Sequence, residues 1–239
     1  MPPSPRTPQL TEWAPAEDRQ VTAVALLLHG GRSHSHGAAN RRRLTYLRMV
    51  PFARDLHRAG GGQGLAVWLL SYRYRGWNAP DLDPVRDARW ALDRLHERHP
   101  GVPAVLVGHS MGGRTAFRVA DDPAVRGVCA LAPWTEPEEP VEALAGRQLL
   151  IAHGDRERWT DPALSYQYAL RARRIAEVAR FDVHGDGHAM LRRAPEWTRL
   201  VTGFTLGCLG FEPMPPVITN AMCEPAPNGL RVPLKGAVR

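Results

Sequence analysis

A chain of 239 residues with 44% apolar and 23% charged residues matches ordinary globular composition, which excludes wholesale disorder and a chain built mainly of membrane spans. The formal charge of +7 comes from arginines spread along the whole length: Lys235 is the only lysine, and the one dense run, Arg41-Arg42-Arg43, has no interleaved aromatics, so the pattern is a poor footprint for nucleic acid. Cys129, Cys208 and Cys223 are an odd, widely spaced set without a C-x-x-C pair, which argues against a disulfide framework and a structural zinc site.

The first residues, MPPSPRTPQL, place prolines where a signal peptide needs a continuous apolar stretch, and no run approaches the roughly 18 apolar residues of a membrane span. A cytoplasmic location with no membrane partner is the expectation. After a Pro-rich lead, residues 1–20, VTAVALLLHGG reads as a buried strand stopped by Gly30 and Gly31. A basic loop follows over residues 32–43, and a helix is expected from about Tyr46 to Ala59, ended by Gly60-Gly61-Gly62. LAVWLLSYRY is the next strand, and Val85, Ala88, Leu92 and Leu95 share one face of a helix from about Asp83 to His96.

The string AVLVGHSMGGRTAFRVA then gives a short strand, a glycine-flanked turn and a helix, with another strand around Val128 to Ala132. A helical stretch near Val141 to Leu144, the strand QLLIAH, a loop from Gly154 to Pro162, a helix from about Ala163 to Val178, the strand ARFDVHG and a helix from Pro195 to about Gly207 complete the pattern. Strands alternating with helices predict an α/β fold, a mostly parallel central sheet with helices on both faces, spanning residues 21–211. From Pro213 onward six prolines fall in 27 residues with little apolar patterning, so residues 212–239 are expected to be a poorly ordered tail.

The most informative string is Gly108-His109-Ser110-Met111-Gly112-Gly113, because G-x-S-x-G between a strand and a helix is a nucleophile elbow. The turn is so tight that side chains on the flanking glycines would collide with the neighbouring strand and helix. Ser110 is thereby exposed at the tip as the candidate nucleophile, with the Met111 amide and the positive end of the following helix aimed at a developing oxyanion. Downstream, the chain supplies carboxylates and then a histidine, the order Ser, acid, His that such a sheet uses. His188, in the Gly185-Asp186-Gly187-His188 turn after the last strand, is the candidate general base. His184 is expected inside the strand, and His109 beside the serine is expected to support the elbow. Asp155, Glu157 and Asp161 crowd one loop as acid candidates, with Asp155 and Asp161 also suited to turn and helix-cap roles.

Through LLLHGG, GHSMGG, LLIAHGDRERWTDP and VHGDGHAM, the chain resembles the α/β-hydrolase superfamily, especially small cap-less esterases similar to dienelactone hydrolases and acylpeptidases, over roughly residues 20–210. The resemblance implies that His188 is the base and that the strand ending in His-Gly supplies a second oxyanion amide at Gly31, with Arg32 as the less favoured neighbour. It also implies that the acid stands four residues after the histidine of an H-G pair; counted from His153, that is Glu157, a glutamate where aspartate is commoner, with Asp155 as the alternative acid.

Only 47 residues separate Ser110 from Glu157, which leaves no room for a lid domain and predicts an open site with His34, His36, Tyr74, Trp77, Trp134 and Trp159 at its rim. His34 and His36 lack a carboxylate or cysteine at ligand spacing, so neither a metal nor a cofactor is expected. The function expected is a serine-dependent, carboxylesterase-like hydrolase cleaving an ester or related acyl bond of a small molecule through an acyl-enzyme on Ser110. Two alternatives stay open: an acyl thioesterase or acyltransferase using the same triad, and a non-catalytic ligand-binding member of the fold. Oligomeric state is not legible.

Overall fold

The structure, a computed structural model, describes residues 6–16 and 19–234. In chain order the elements are β1 (Gln9–Trp13), β2 (Ala23–Leu28), α1 (Leu44–Leu47), α2 (Val50–Gly60), β3 (Leu65–Ser71), α3 (Asp83–Arg98), β4 (Ala104–His109), α4 (Met111–Val119), β5 (Val125–Leu131), β6 (Gln148–Gly154), α5 (Pro162–Ala172), β7 (Glu177–Val183), α6 (Ala194–Cys208), α7 (Pro216–Cys223) and β8 (Val232–Leu234). They form one eight-stranded sheet in the order β1-β3-β2-β4-β5-β6-β7-β8, in which only β1 is antiparallel to its neighbour.

The unbroken apolar runs of β2, β3 and β4 follow from burial on both faces, where alternate side chains enter different cores. Val24, Leu26 and Leu28 of β2 join Leu92 of α3, Phe117 of α4 and Tyr168 of α5, while Ala23, Ala25 and Leu27 join Leu56 of α2, Trp197 and Phe204 of α6 and Ile218 of α7. All strand-to-helix loops at the carboxyl ends of the parallel strands therefore gather at one edge of the sheet, where open α/β sheets bind ligands. Only residues 132–147 separate β5 from β6, and they hold a single 3₁₀ turn, Glu142–Leu144.

Both ends of the chain differ from expectation. Within the Pro-rich lead, β1 pairs with β3 from Gln9↔Ser71 to Trp13↔Val67. Residues 212–234, expected to be poorly ordered, instead supply α7 and a last strand paired with β7, while residues 235–239 lie outside the described residues. The physical reason is a set of long-range anchors: Arg173 Nη2 donates to the carbonyls of Ala221 (2.9 Å) and Met222 (2.7 Å), Arg180 Nη1 to that of Leu230 (3.1 Å), and Ile218, Ala221 and Leu230 are buried. The expected helix from Ala163 to Val178 stops at Ala172, because β7 already begins at Glu177.

Candidate active site

Ser110 sits between β4 and α4 with φ +55° and ψ −118°, outside the regions that L-residues favour. Such a backbone costs about 1–3 kcal/mol and persists only where its surroundings over-determine it. Here the Ser110 amide donates to Leu131 (3.0 Å), and its carbonyl accepts from Gly113 (3.0 Å), Arg114 (3.3 Å) and Trp134 (3.1 Å). The glycines are required by close approach: a Cβ on Gly108 would stand 2.3 Å from the Gly112 carbonyl oxygen, and one on Gly112 2.0 Å from that of Leu28.

His188 lies in the loop between β7 and α6, and Asp186 holds that loop. Its Oδ1 accepts from the Gly187 amide (2.8 Å), and its Oδ2 from the Arg193 amide (2.9 Å) and the Trp197 indole (3.0 Å). The His109 ring, fully buried, is bonded through Nε2 to the His188 carbonyl at 3.0 Å, with ring centroids 4.6 Å apart. Burial first, then the neighbouring His188 and Arg48, pushes the His109 pKa well down, so the ring is neutral and its Nε2–H is the donor. Trp159 lies nearly parallel to His188, 5.8 Å away with a 9° interplanar angle, although it is 85% exposed.

His188 Nδ1 is 2.8 Å from Glu157 Oε2, and the Glu157 side chain is fully buried. Glu157 Oε1 accepts from the amides of Arg158 and Trp159, each at 2.7 Å. Burial alone would raise the Glu157 pKa; the His188 hydrogen bond and these amides outweigh it and bring the group from 4.5 down to about 2. An ionised acceptor fixes Nδ1 of His188 as the protonated nitrogen and leaves Nε2, on the far edge of the ring, with a free lone pair. Asp155, the alternative acid, is bound elsewhere: it accepts from the Gly185 amide (2.8 Å) and pairs with His184 Nδ1 (3.0 Å). His184, expected within a strand, follows the end of β7 and is partly exposed, because β7 stops at Val183. Asp161 caps α5 through the Ala163 amide (2.8 Å), and buried His153 bonds Ser165 and Thr160 with its pKa lowered by burial to about 3.

Ser110 and His188 line one cavity of about 960 Å³, together with Gly31, Trp134, Trp159 and Leu191. Among the described residues no hydrogen bond joins the Ser110 hydroxyl to His188; such contacts commonly tighten only when substrate binds. The amides of Gly31 and Met111 have no backbone partner among the described residues, whereas that of Arg32 donates to Arg75 at 2.8 Å and is thereby occupied. Of the rim residues expected, His34, Trp134 and Trp159 line the cavity, His36 packs edge-on against Tyr74, and Trp77 is buried against Trp134. The sequence does not single out the loop-holding role of Asp186, the Trp159 stack or Arg48; only Asp186 carries a signal, a carboxylate between glycines just before the histidine.

A family model described as the alpha/beta hydrolase family matches residues 25–233. The chain belongs to that family. Among solved structures, this alpha/beta hydrolase is similar to Est1E of Butyrivibrio proteoclasticus, solved with ferulic acid bound (TM-score 0.64, 13% identity, 85% of this chain and 96% of that one). It is similar also to a serine hydrolase without a lid from Xanthomonas campestris (TM-score 0.59, 18% identity, 87% and 91%). A third is the monoacylglycerol lipase of Paleococcus ferrophilus (TM-score 0.59, 14% identity, 84% and 99%). At these identities the likeness is one of fold. No curated protein sequence matches the chain. Among the described residues of the alpha/beta hydrolase, no group of three His, Cys, Asp or Glu side chains could hold a metal ion, and no helix is long and apolar enough to cross a membrane.

Proposed function

We propose that this alpha/beta hydrolase is a serine hydrolase that cleaves a carboxylic ester or related acyl bond of a small molecule. The observation that carries the reading is the Glu157–His188 pair at 2.8 Å, opening onto the same cavity as the strained Ser110. His188 Nε2 takes the proton of Ser110 as Oγ attacks the carbonyl carbon, and the Gly31 and Met111 amides receive the negative oxygen. The tetrahedral species collapses to an ester on Ser110 as His188 returns the proton to the leaving oxygen. Water, deprotonated by His188, then attacks that ester, and the acid is released as His188 returns the proton to Ser110 Oγ. Glu157 stays ionised throughout, holding the imidazole tautomer and stabilising the imidazolium.

The cavity opens directly to solvent, and the short connection between β5 and β6 supports a site without a covering domain. Purified protein tested against short p-nitrophenyl esters and the matching acyl thioesters is expected to turn over the oxygen esters. Ser110→Ala and His188→Ala are each expected to lose a factor on the order of 10⁶ in kcat. Undiminished turnover in Ser110→Ala would contradict the proposal.

A further inference from the structure

The wall of the cavity carries five arginines, Arg32, Arg48, Arg156, Arg158 and Arg192. Among the described residues none of these guanidinium groups has a hydrogen-bond or ion-pair partner, whereas the deeply buried arginines elsewhere do: Arg114 with Glu139 at 2.5 Å, Arg180 with Asp182 at 2.6 Å. The one carboxylate in the wall, Asp186, has both oxygens engaged by Gly187, Arg193 and Trp197. Five guanidinium groups against one carboxylate make the wall of the cavity cationic. Arg48 is distinct among the five. It is half-buried while the other four are exposed, and it shares the wall with Ser110, His109 and His188.

Burial of an unpaired guanidinium is unfavourable; here it lowers the Arg48 pKa, and the charge of Glu157 opposes the shift. A planar fork of N–H donors held this way matches carboxylate or phosphate oxygens, which would complete its hydrogen bonding when they enter. We infer that the substrate of this site carries an anionic group, a carboxylate or phosphate, that seats on Arg48 while its acyl carbon meets Ser110. Arg32, Arg156, Arg158 and Arg192 around it raise the local concentration of anions. Arg48 is thus a specificity-determining residue, and the inference rests on the acyl-transfer reading of Ser110.

The test uses two matched pairs of esters that differ only in charge: the mono-p-nitrophenyl ester of adipic acid against its terminal carboxamide, and 3-acetoxybenzoate against 3-acetoxybenzamide. The readout is the ratio of kcat/KM, anionic over neutral, at low and high salt. At least one pair is expected to favour the anionic member about tenfold or more, as a charged hydrogen-bonded pair implies, and less so at high salt. In Arg48→Gln that ratio falls to about threefold or below and in Arg48→Lys it partly recovers, while Arg126→Gln, an equal loss of charge at an exposed position of β5 outside the cavity, keeps it. If Arg48 served only to tune Glu157, both members of each pair would slow together and the ratio would hold, which overturns the inference. So would equal turnover of both members by the wild type in free solution, even for a protein that sediments with anionic vesicles. If Ser110→Ala leaves turnover intact, or no ester is hydrolysed, the acyl-transfer reading has failed, and the anion site is read by calorimetric titration with adipate monoamide against adipamide. Binding of the anion alone, lost in Arg48→Gln, sustains the anion seat on Arg48 without the acyl-transfer reading; no difference between the two overturns it.

Discussion

Gly154 approaches the backbone of Asp186 so closely that a Cβ on it would stand 2.3 Å from the Asp186 carbonyl oxygen. This contact joins the loop that carries Glu157 to the loop that carries His188, and the Arg156 amide reinforces it by donating to the same carbonyl at 3.0 Å. Gly154→Ala is expected to part the two loops and to lower kcat/KM on the order of 10²-fold, the scale of an ångström-sized misplacement. Steady-state kinetics beside a circular-dichroism melt check this. Unchanged kinetics in a folded variant would show that the two loops are positioned by other contacts.

Glu157→Gln keeps the shape of the acid and removes its charge, so kcat is expected to fall on the order of 10³- to 10⁴-fold. Asp155→Asn, at a partly exposed residue paired with His184, is expected to stay within about twofold of wild type. The reverse pattern in ester hydrolysis would move the acid's role to Asp155.

The depressed pKa of Glu157 also sets a dependence of stability on pH. The free carboxyl titrates near 4.5 and the folded one at about 2, so between these values the unfolded chain binds more protons. The stabilisation is complete above pH about 4.5 and is lost as the pH falls toward about 2. Urea midpoints measured from pH 6 to pH 2 are expected to fall more steeply for wild type than for Glu157→Gln; parallel curves would count against the buried, hydrogen-bonded carboxylate.

What was legible in the sequence was what local pattern encodes. The apolar runs of β2, β3 and β4 announce strands buried on both faces, and glycines at 108 and 112 announce the turn that presents Ser110. Glu157 and Asp155 stand two residues apart in one loop, and pattern alone does not separate them. The separation comes from where the backbone turns, which gives Glu157 the amides of Arg158 and Trp159 and aims its other oxygen at His188. The C-terminal segment was illegible for a related reason: its order depends on Arg173 and Arg180, which lie some 50 positions away from the carbonyls they bind. Arg48 gave no sign in an Arg-rich chain, since its lack of a partner is a property of the folded cavity.

Those anchors make the C-terminal segment part of the core. Leu230 is fully buried in the same core as Tyr168 and Ala169, so Leu230→Ala is expected to cost about 2–5 kcal/mol of unfolding free energy, with kcat of the folded protein unchanged. Chemical denaturation measures it, and a cost below about 0.5 kcal/mol, the range of surface substitutions, would show that the segment is not packed as described.

The most direct test of the nucleophile is labelling of the folded protein with a fluorophosphonate, followed by mass mapping of the modified peptide. The account predicts a single adduct on Ser110, absent after unfolding or in Ser110→Ala and slowed at least about 10²-fold in His188→Ala. A folded protein that takes no label, or takes it on another residue, would contradict it.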